Sequence, residues 1–193
     1  MDTLPTLCLF TKYPVPGQVK TRLAPLLGEE GAARLHRRLV ERTLATMRGS
    51  GLPLCVYISG ACESDFARWL GADLSFRAQG EGHLGDRLAR VPGPAIIIGA
   101  DIPGLSVQQI GQAARIVQDN RIVIGPAADG GYYLIGFPIQ NPAIWRDIEW
   151  GSETVLKATQ KNLEGAELPF EQLETLHDCD RPEDLPRWPD LAS

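Results

Sequence analysis

Residues 94–103, Pro-Ala-Ile-Ile-Ile-Gly-Ala-Asp-Ile-Pro, constrain the fold more than any other stretch of the chain. An apolar, β-type run climbs to Gly99, reaches one carboxylate at Asp101 and is stopped by Pro103. Consecutive apolar residues bury both faces of a strand, which is the habit of a parallel strand inside an α/β sheet. In open α/β sheets, ligands bind just beyond the carboxyl ends of such strands. A carboxylate delivered to that place suits a hard cation that bridges to phosphate oxygens.

The rest of the chain repeats the pattern. Strand-like runs fall at 6–10, 54–59, 74–78, 95–100, 121–125 and 132–137, with a short last one at 174–177. Between them, 29–47 carries Leu35, Leu39, Leu44 and Met47 near helical spacing. Further helices are predicted at 64–70, 85–91, from a Ser106 cap to about 119, and over 152–163 with Ser152 as cap. Pro182 opens a terminal helical turn. Strands alternating with helices predict a mostly parallel sheet with helices on both faces. The segments around 132–137 and near the C-terminus are candidates for antiparallel edge strands. No repeat, low-complexity tract or linker interrupts the pattern, so one domain over 1–193 is expected. Residues 141–150 are the most irregular, and Trp145 and Trp150 suit either a packed core or the wall of an acceptor site.

The net charge of −5 argues against general nucleic-acid binding. Charge is uneven, however. Residues 1–50 hold eight Lys and Arg against Asp2, Glu29, Glu30 and Glu41, whereas the last fifty residues are acidic. The four cysteines (Cys8, Cys55, Cys62, Cys179) show no CxxC spacing, which speaks against a zinc site and fits a reducing compartment. The apolar run at 4–10 is too short for a signal or spanning segment, so a soluble, cytoplasmic protein without membrane partners is expected.

Past the first predicted strand, the chain reads Thr-Lys-Tyr-Pro-Val-Pro-Gly-Gln-Val-Lys-Thr-Arg over 11–22. Gly17 lets backbone N–H groups approach an anion, and Lys12, Lys20 and Arg22 can neutralise a di- or triphosphate. With Thr21 they form the predicted nucleotide-binding loop. It is not a Walker A loop, because Val19 stands where Gly must precede Lys-Thr. It is not a dinucleotide fingerprint either, since Gly17 is its one glycine.

Other polar groups complete the candidate set. Asp180, in His177-Asp-Cys-Asp-Arg-Pro, could join Asp101 as a second metal-side carboxylate. Glu183 and Asp184 suit capping of the turn that follows. Asp129, ahead of Gly130 and Gly131, could orient or deprotonate an acceptor hydroxyl, or simply make an Asp-Gly turn. Gln79 follows a strand, where its amide could read a nucleobase edge or face solvent.

With these residues in view, the chain resembles a family of GT-A-type, nucleotide-diphospho-sugar transferase-like proteins, some of them linked to arsenosugar biosynthesis. It is more distantly similar to guanylyltransferases acting on phospholactate or molybdopterin. The resemblance is carried by 12–23 (KYPVPGQVKTRL), 79–87, 98–103 (IGADIP), 125–136 (GPAADGGYYLIG), Trp150 with Ser152, and 178–185 (DCDRPEDL). It implies a GT-A-like α/β fold in which Asp101 binds Mg²⁺ or Mn²⁺ beside the nucleotide phosphates. Asp180 would be a second ligand, with Lys20 and Arg22 on phosphate. Members usually carry Asp where this chain has His83, a change that bears on base or metal contacts. The expected activity is transfer from a nucleotide-sugar to a small-molecule acceptor, with Asp129 and Lys20 as catalytic residues. The alternatives are nucleotidyl transfer from an NTP, with Lys20 and Arg22 on its phosphates, and a nucleotide-binding module without catalysis.

Overall fold

The computed structural model describes residues 3–192. Its strands are β1 (Thr6–Lys12), β2 (Leu54–Ser59), β3 (Ser75–Ala78), β4 (Ala95–Gly99), β5 (Ile122–Pro126), β6 (Tyr132–Phe137) and β7 (Phe170–Gln172). Its helices are α1 (Ala24–Gly49), α2 (Glu63–Leu70), α3 (Leu84–Leu88), α4 (Val107–Gln118), α5 (Val155–Gly165) and α6 (Pro189–Ala192). Gly28, at φ 72° and ψ 163°, breaks α1 near its start, so the regular helix begins where the Leu periodicity begins.

The seven strands join one sheet in the order β3-β2-β1-β4-β6-β5-β7. β1 pairs in parallel with both β2 and β4, and β2 with β3. The chain therefore leaves β1 on one side and returns as β4 on the other. Strand order reverses between β1 and β4, and the connections leaving their carboxyl ends diverge into a crevice. Asp101 and the basic loop emerge on the two sides of this switch point.

The repeated apolar residues of the strands are shared between two faces. Leu7, Leu9, Ile96, Ile98 and Leu134 meet α1, α2 and α4 through Val40, Met47, Phe66, Ile110 and Val117. Cys8, Ile97, Ile124, Ile135 and Phe137 meet Leu88, Ile144, Trp145 and Leu163 on the opposite side. A third cluster, Leu23, Leu35, Leu39, Cys179, Leu185 and Leu191, fastens the C-terminal segment to α1.

Three local expectations need correction. β6 is antiparallel but lies inside the sheet, between β4 and β5, because its residues are buried on both faces. The last strand is β7 at the sheet edge, parallel to β5, whereas Leu176 in the expected 174–177 strand makes an isolated bridge with Ala127. Ser152 does not cap a helix. Its hydroxyl pairs with the Thr154 hydroxyl at 2.7 Å and with the Glu149 carbonyl at 2.9 Å, and α5 starts three residues later.

Candidate active site at the carboxyl ends of β1 and β4

The Lys20 ammonium lies at the centre of the crevice. It sits 2.6 Å from Asp101 Oδ1 and 3.3 Å from Asp180 Oδ1, and donates to the Cys179 carbonyl at 2.8 Å. Its side chain is 3% exposed, whereas that of Asp101 is 54% exposed. Asp180 uses its second oxygen to accept from Arg22 at 2.5 Å. The backbone explains how residues so distant in sequence meet. The Cys179 N–H donates to the Asp101 carbonyl at 2.8 Å, which pins the C-terminal segment to the end of β4. The Asp184 carboxylate then accepts from the N–H groups of Asp180 and Arg181 at 3.0 and 2.8 Å.

Electrostatics follow from these distances. Burial pulls the Lys20 pKa down, but the charges and hydrogen bonds of Asp101 and Asp180 outweigh it and raise it above the ordinary value. Desolvation lifts the Asp101 carboxyl, yet Lys20, with a smaller contribution from His36, holds it below the usual carboxylate range. Lys20 also has φ +48°, a left-handed conformation that costs a side-chain-bearing residue about 1–3 kcal/mol and is concentrated at functional sites.

The rest of the basic loop surrounds this centre. Lys12 braces it by donating to the Gln18 carbonyl at 3.2 Å. Gly17 has φ +74°, and a Cβ there would meet the Glu29 carboxylate at 3.2 Å. Thr21 and Arg22 are exposed. Gln79 is placed differently from its expected base-reading role. It is buried, and its amide donates to the carbonyls of Thr11 and Tyr57 at 3.0 and 2.9 Å. Both N–H groups are thereby engaged in tying the ends of β1 and β2 together.

A cavity of about 750 Å³ opens beside the centre. Phe10, Ile97 and Ile135 floor it, and Tyr132 and Trp150 wall it with rings edge-to-face at 6.5 Å. Gly85 allows that wall, since a Cβ there would lie 2.8 Å from Trp150 Nε1. Trp145 is instead buried in the core. Asp129 lines the cavity from an exposed turn in which its Oδ1 accepts the Gly131 N–H at 2.9 Å. Arg22 lines it too, so one side chain touches both the cavity and the carboxylate centre.

Residues 43–152 match the model of a family described as an uncharacterized protein conserved in bacteria, DUF2064. The chain belongs to this family. Among solved structures, the DUF2064 protein is 31% identical to a protein of Desulfovibrio desulfuricans G20 provisionally described as a nucleotide-diphospho-sugar transferase, with a TM-score of 0.84 over 92% of this chain and 82% of that one. It shares its fold with a nucleotidyl transferase from Methanothermobacter at 16% identity and TM-score 0.61, covering 98% of both chains. The same holds for Rv0371c of Mycobacterium tuberculosis H37Rv, solved with manganese, at 18% identity and TM-score 0.55 over 96% of this chain and 97% of that one. A search of curated proteins finds no match. The DUF2064 protein thus has the GT-A-like fold shared by nucleotide-sugar transferases and nucleotidyltransferases.

The oxygens around Lys20 also test whether a divalent metal fits. Asp101 Oδ1, Asp180 Oδ1 and the Cys179 carbonyl converge on one positive charge, an all-oxygen set of the kind Mg²⁺ and Mn²⁺ accept. Among the described residues no group of three or more His, Cys, Asp or Glu could hold a metal, so a metal held here would need phosphate or water for its other ligands. Sequence reasoning missed Asp178, which also lines the cavity. Burial pushes its carboxyl up, and the neighbouring carboxylates of Asp129, Asp184 and Asp180 add to the rise. His83 has a local role: its Nδ1 accepts the Asp86 N–H at 3.3 Å and caps α3.

Proposed function

We propose that this protein is a metal-dependent glycosyltransferase that moves a sugar from a nucleotide-sugar to a small hydroxylated acceptor. The observation that carries this reading is the junction of two sites through Arg22: an oxygen-lined cation centre and an acceptor-sized cavity holding Asp129. The similarity to the Desulfovibrio protein supports the same donor class.

Asp101 and Asp180 would hold Mg²⁺ or Mn²⁺, which when bound neutralises charge developing on the diphosphate leaving group. Arg22 can grip phosphate oxygens bidentately, and Lys20 adds a point charge. Lys12, Gly17 and Thr21 shape the loop around the phosphates. Asp129 accepts the proton of the acceptor hydroxyl as its oxygen attacks the sugar carbon and the bond to phosphate breaks. Trp150 and Tyr132 offer an aromatic wall to the apolar face of a ring.

Nucleotidyl transfer is the second reading, favoured by Arg181 and Arg187 at the cavity, which suit a phosphorylated acceptor. A panel of UDP-, GDP- and dTDP-sugars and free NTPs with Mg²⁺ or Mn²⁺ separates the two. Release of nucleoside diphosphate is expected; release of pyrophosphate from an NTP would shift the assignment, and binding without turnover would make the protein a binding module. Asp129→Asn should lower kcat by roughly 10²–10⁴-fold while leaving nucleotide affinity unchanged. Equal kcat in the variant would remove Asp129 from the mechanism.

A further inference from the structure

The carboxylates of the cation centre are already neutralised from within. Asp101 Oδ1 is paired with Lys20, and Asp180 divides its two oxygens between Lys20 and Arg22. The Cys179 carbonyl, the third oxygen, also accepts from Lys20. Two anions and two cations leave the group with no net charge. A free divalent cation approaching these oxygens meets an enclosed ammonium bound to the same atoms, and two positive charges at that range repel even where Asp101 is open to solvent. A diphosphate changes the balance. It offers Lys20 and Arg22 new anionic partners and frees the carboxylate oxygens in the same step.

We propose that Lys20 is a built-in counterion that closes the Asp101–Asp180 pair to free divalent cations, so that metal enters only together with a phosphate-bearing ligand. The inference rests on the metal-centre reading above and adds to it the order of binding. Lys20 is then a selectivity device as well as a phosphate ligand: it refuses the bare ion and accepts the metal–diphosphate complex.

The test follows the free-ion EPR signal of Mn²⁺ as the full chain is added, with Mn²⁺ alone and with Mn²⁺ plus inorganic pyrophosphate, against a protein-free pyrophosphate blank. Wild-type protein should bind Mn²⁺ roughly tenfold or more tightly with pyrophosphate than without, the scale of one charge-assisted contact. Lys20→Met and Lys20→Gln, which remove the charge, should bind Mn²⁺ alone roughly tenfold more tightly than wild type by the same measure. Lys20→Arg, which keeps the charge, should not. Equal uptake of Mn²⁺ by wild type with and without pyrophosphate would overturn the proposal, and this arm needs no variant to fold. So would folded Lys20→Met or Lys20→Gln protein with no gain in affinity. Asp101→Asn separates the two levels. If it abolishes Mn²⁺–pyrophosphate binding while the Lys20 variants show no gain, the metal centre stands and the counterion falls. If it changes nothing, the metal centre itself falls.

Discussion

At the scale of single residues, position along a strand proved easier to read than the partner each side chain would take. Asp101 was legible because an apolar run delivers it to the end of a strand, and strand ends are where α/β sheets bind ligands. That Asp180 could join it was read from its own acidic motif and from the family resemblance, but the contact itself spans most of the chain and depends on the Cys179–Asp101 backbone bond. Gln79 shows the opposite failure. An amide after a strand looks free in sequence, but the carbonyls of Thr11 and Tyr57 at the ends of β1 and β2 need donors, and Gln79 supplies both. Gln79→Ala should therefore cost roughly 1–3 kcal/mol by leaving buried carbonyls unpaired. For a chain of this length each kcal/mol is about 2–4 °C in Tm. Thermal denaturation reads the loss, and nucleotide affinity of the folded variant should match wild type. A stable variant with weakened, base-selective nucleotide binding would restore the base-reading role.

At the scale of elements, long periodic segments were legible and short ones were not. The run from Glu29 to Met47 is helical in both readings, because its apolar stripe has a large buried surface to match. β6 was misplaced to an edge because strand type and direction are set by neighbours that a local pattern does not name. The five-residue α3 is too short to stand on propensity, so its cap carries unusual weight. His83 accepts the orphan N–H at the third helical position, a job that an Asp side chain can also do. His83→Asp should leave Tm equal to or above that of wild type, whereas His83→Ala should lose about 1 kcal/mol. If both variants fell equally in a thermal melt, the cap would not be what His83 provides.

At the scale of the whole molecule, the α/β class followed from alternating strands and helices, but the C-terminal clamp did not. Its residues are few and separated by prolines and charges, and they acquire meaning only when packed on α1. Leu185 is the key to that clamp. It is 7% exposed, packed in the cluster that also holds Leu23, Leu39 and Cys179. Its neighbour Asp184 accepts the Asp180 N–H, so the anchor of one apolar side chain fixes the backbone of the carboxylate proposed to hold the metal. The exposed Arg42–Asp190 ion pair joins the same segments at 2.7 Å, but solvent screening leaves such pairs about 0–1 kcal/mol. Burial therefore outweighs charge in holding the clamp. Leu185→Ala should destabilise the protein by about 2–5 kcal/mol, toward the lower end because a short segment near the surface can relax into the gap. It should also weaken Mn²⁺–pyrophosphate binding, although Leu185 touches neither ligand, because Asp180 loses its fixed position. Arg42→Ala should change neither quantity appreciably. Thermal melts with Mn²⁺–pyrophosphate titrations on both variants decide the point: a destabilised Leu185→Ala protein that still binds with wild-type affinity would mean that Asp180 is held by Lys20 and Arg22 alone.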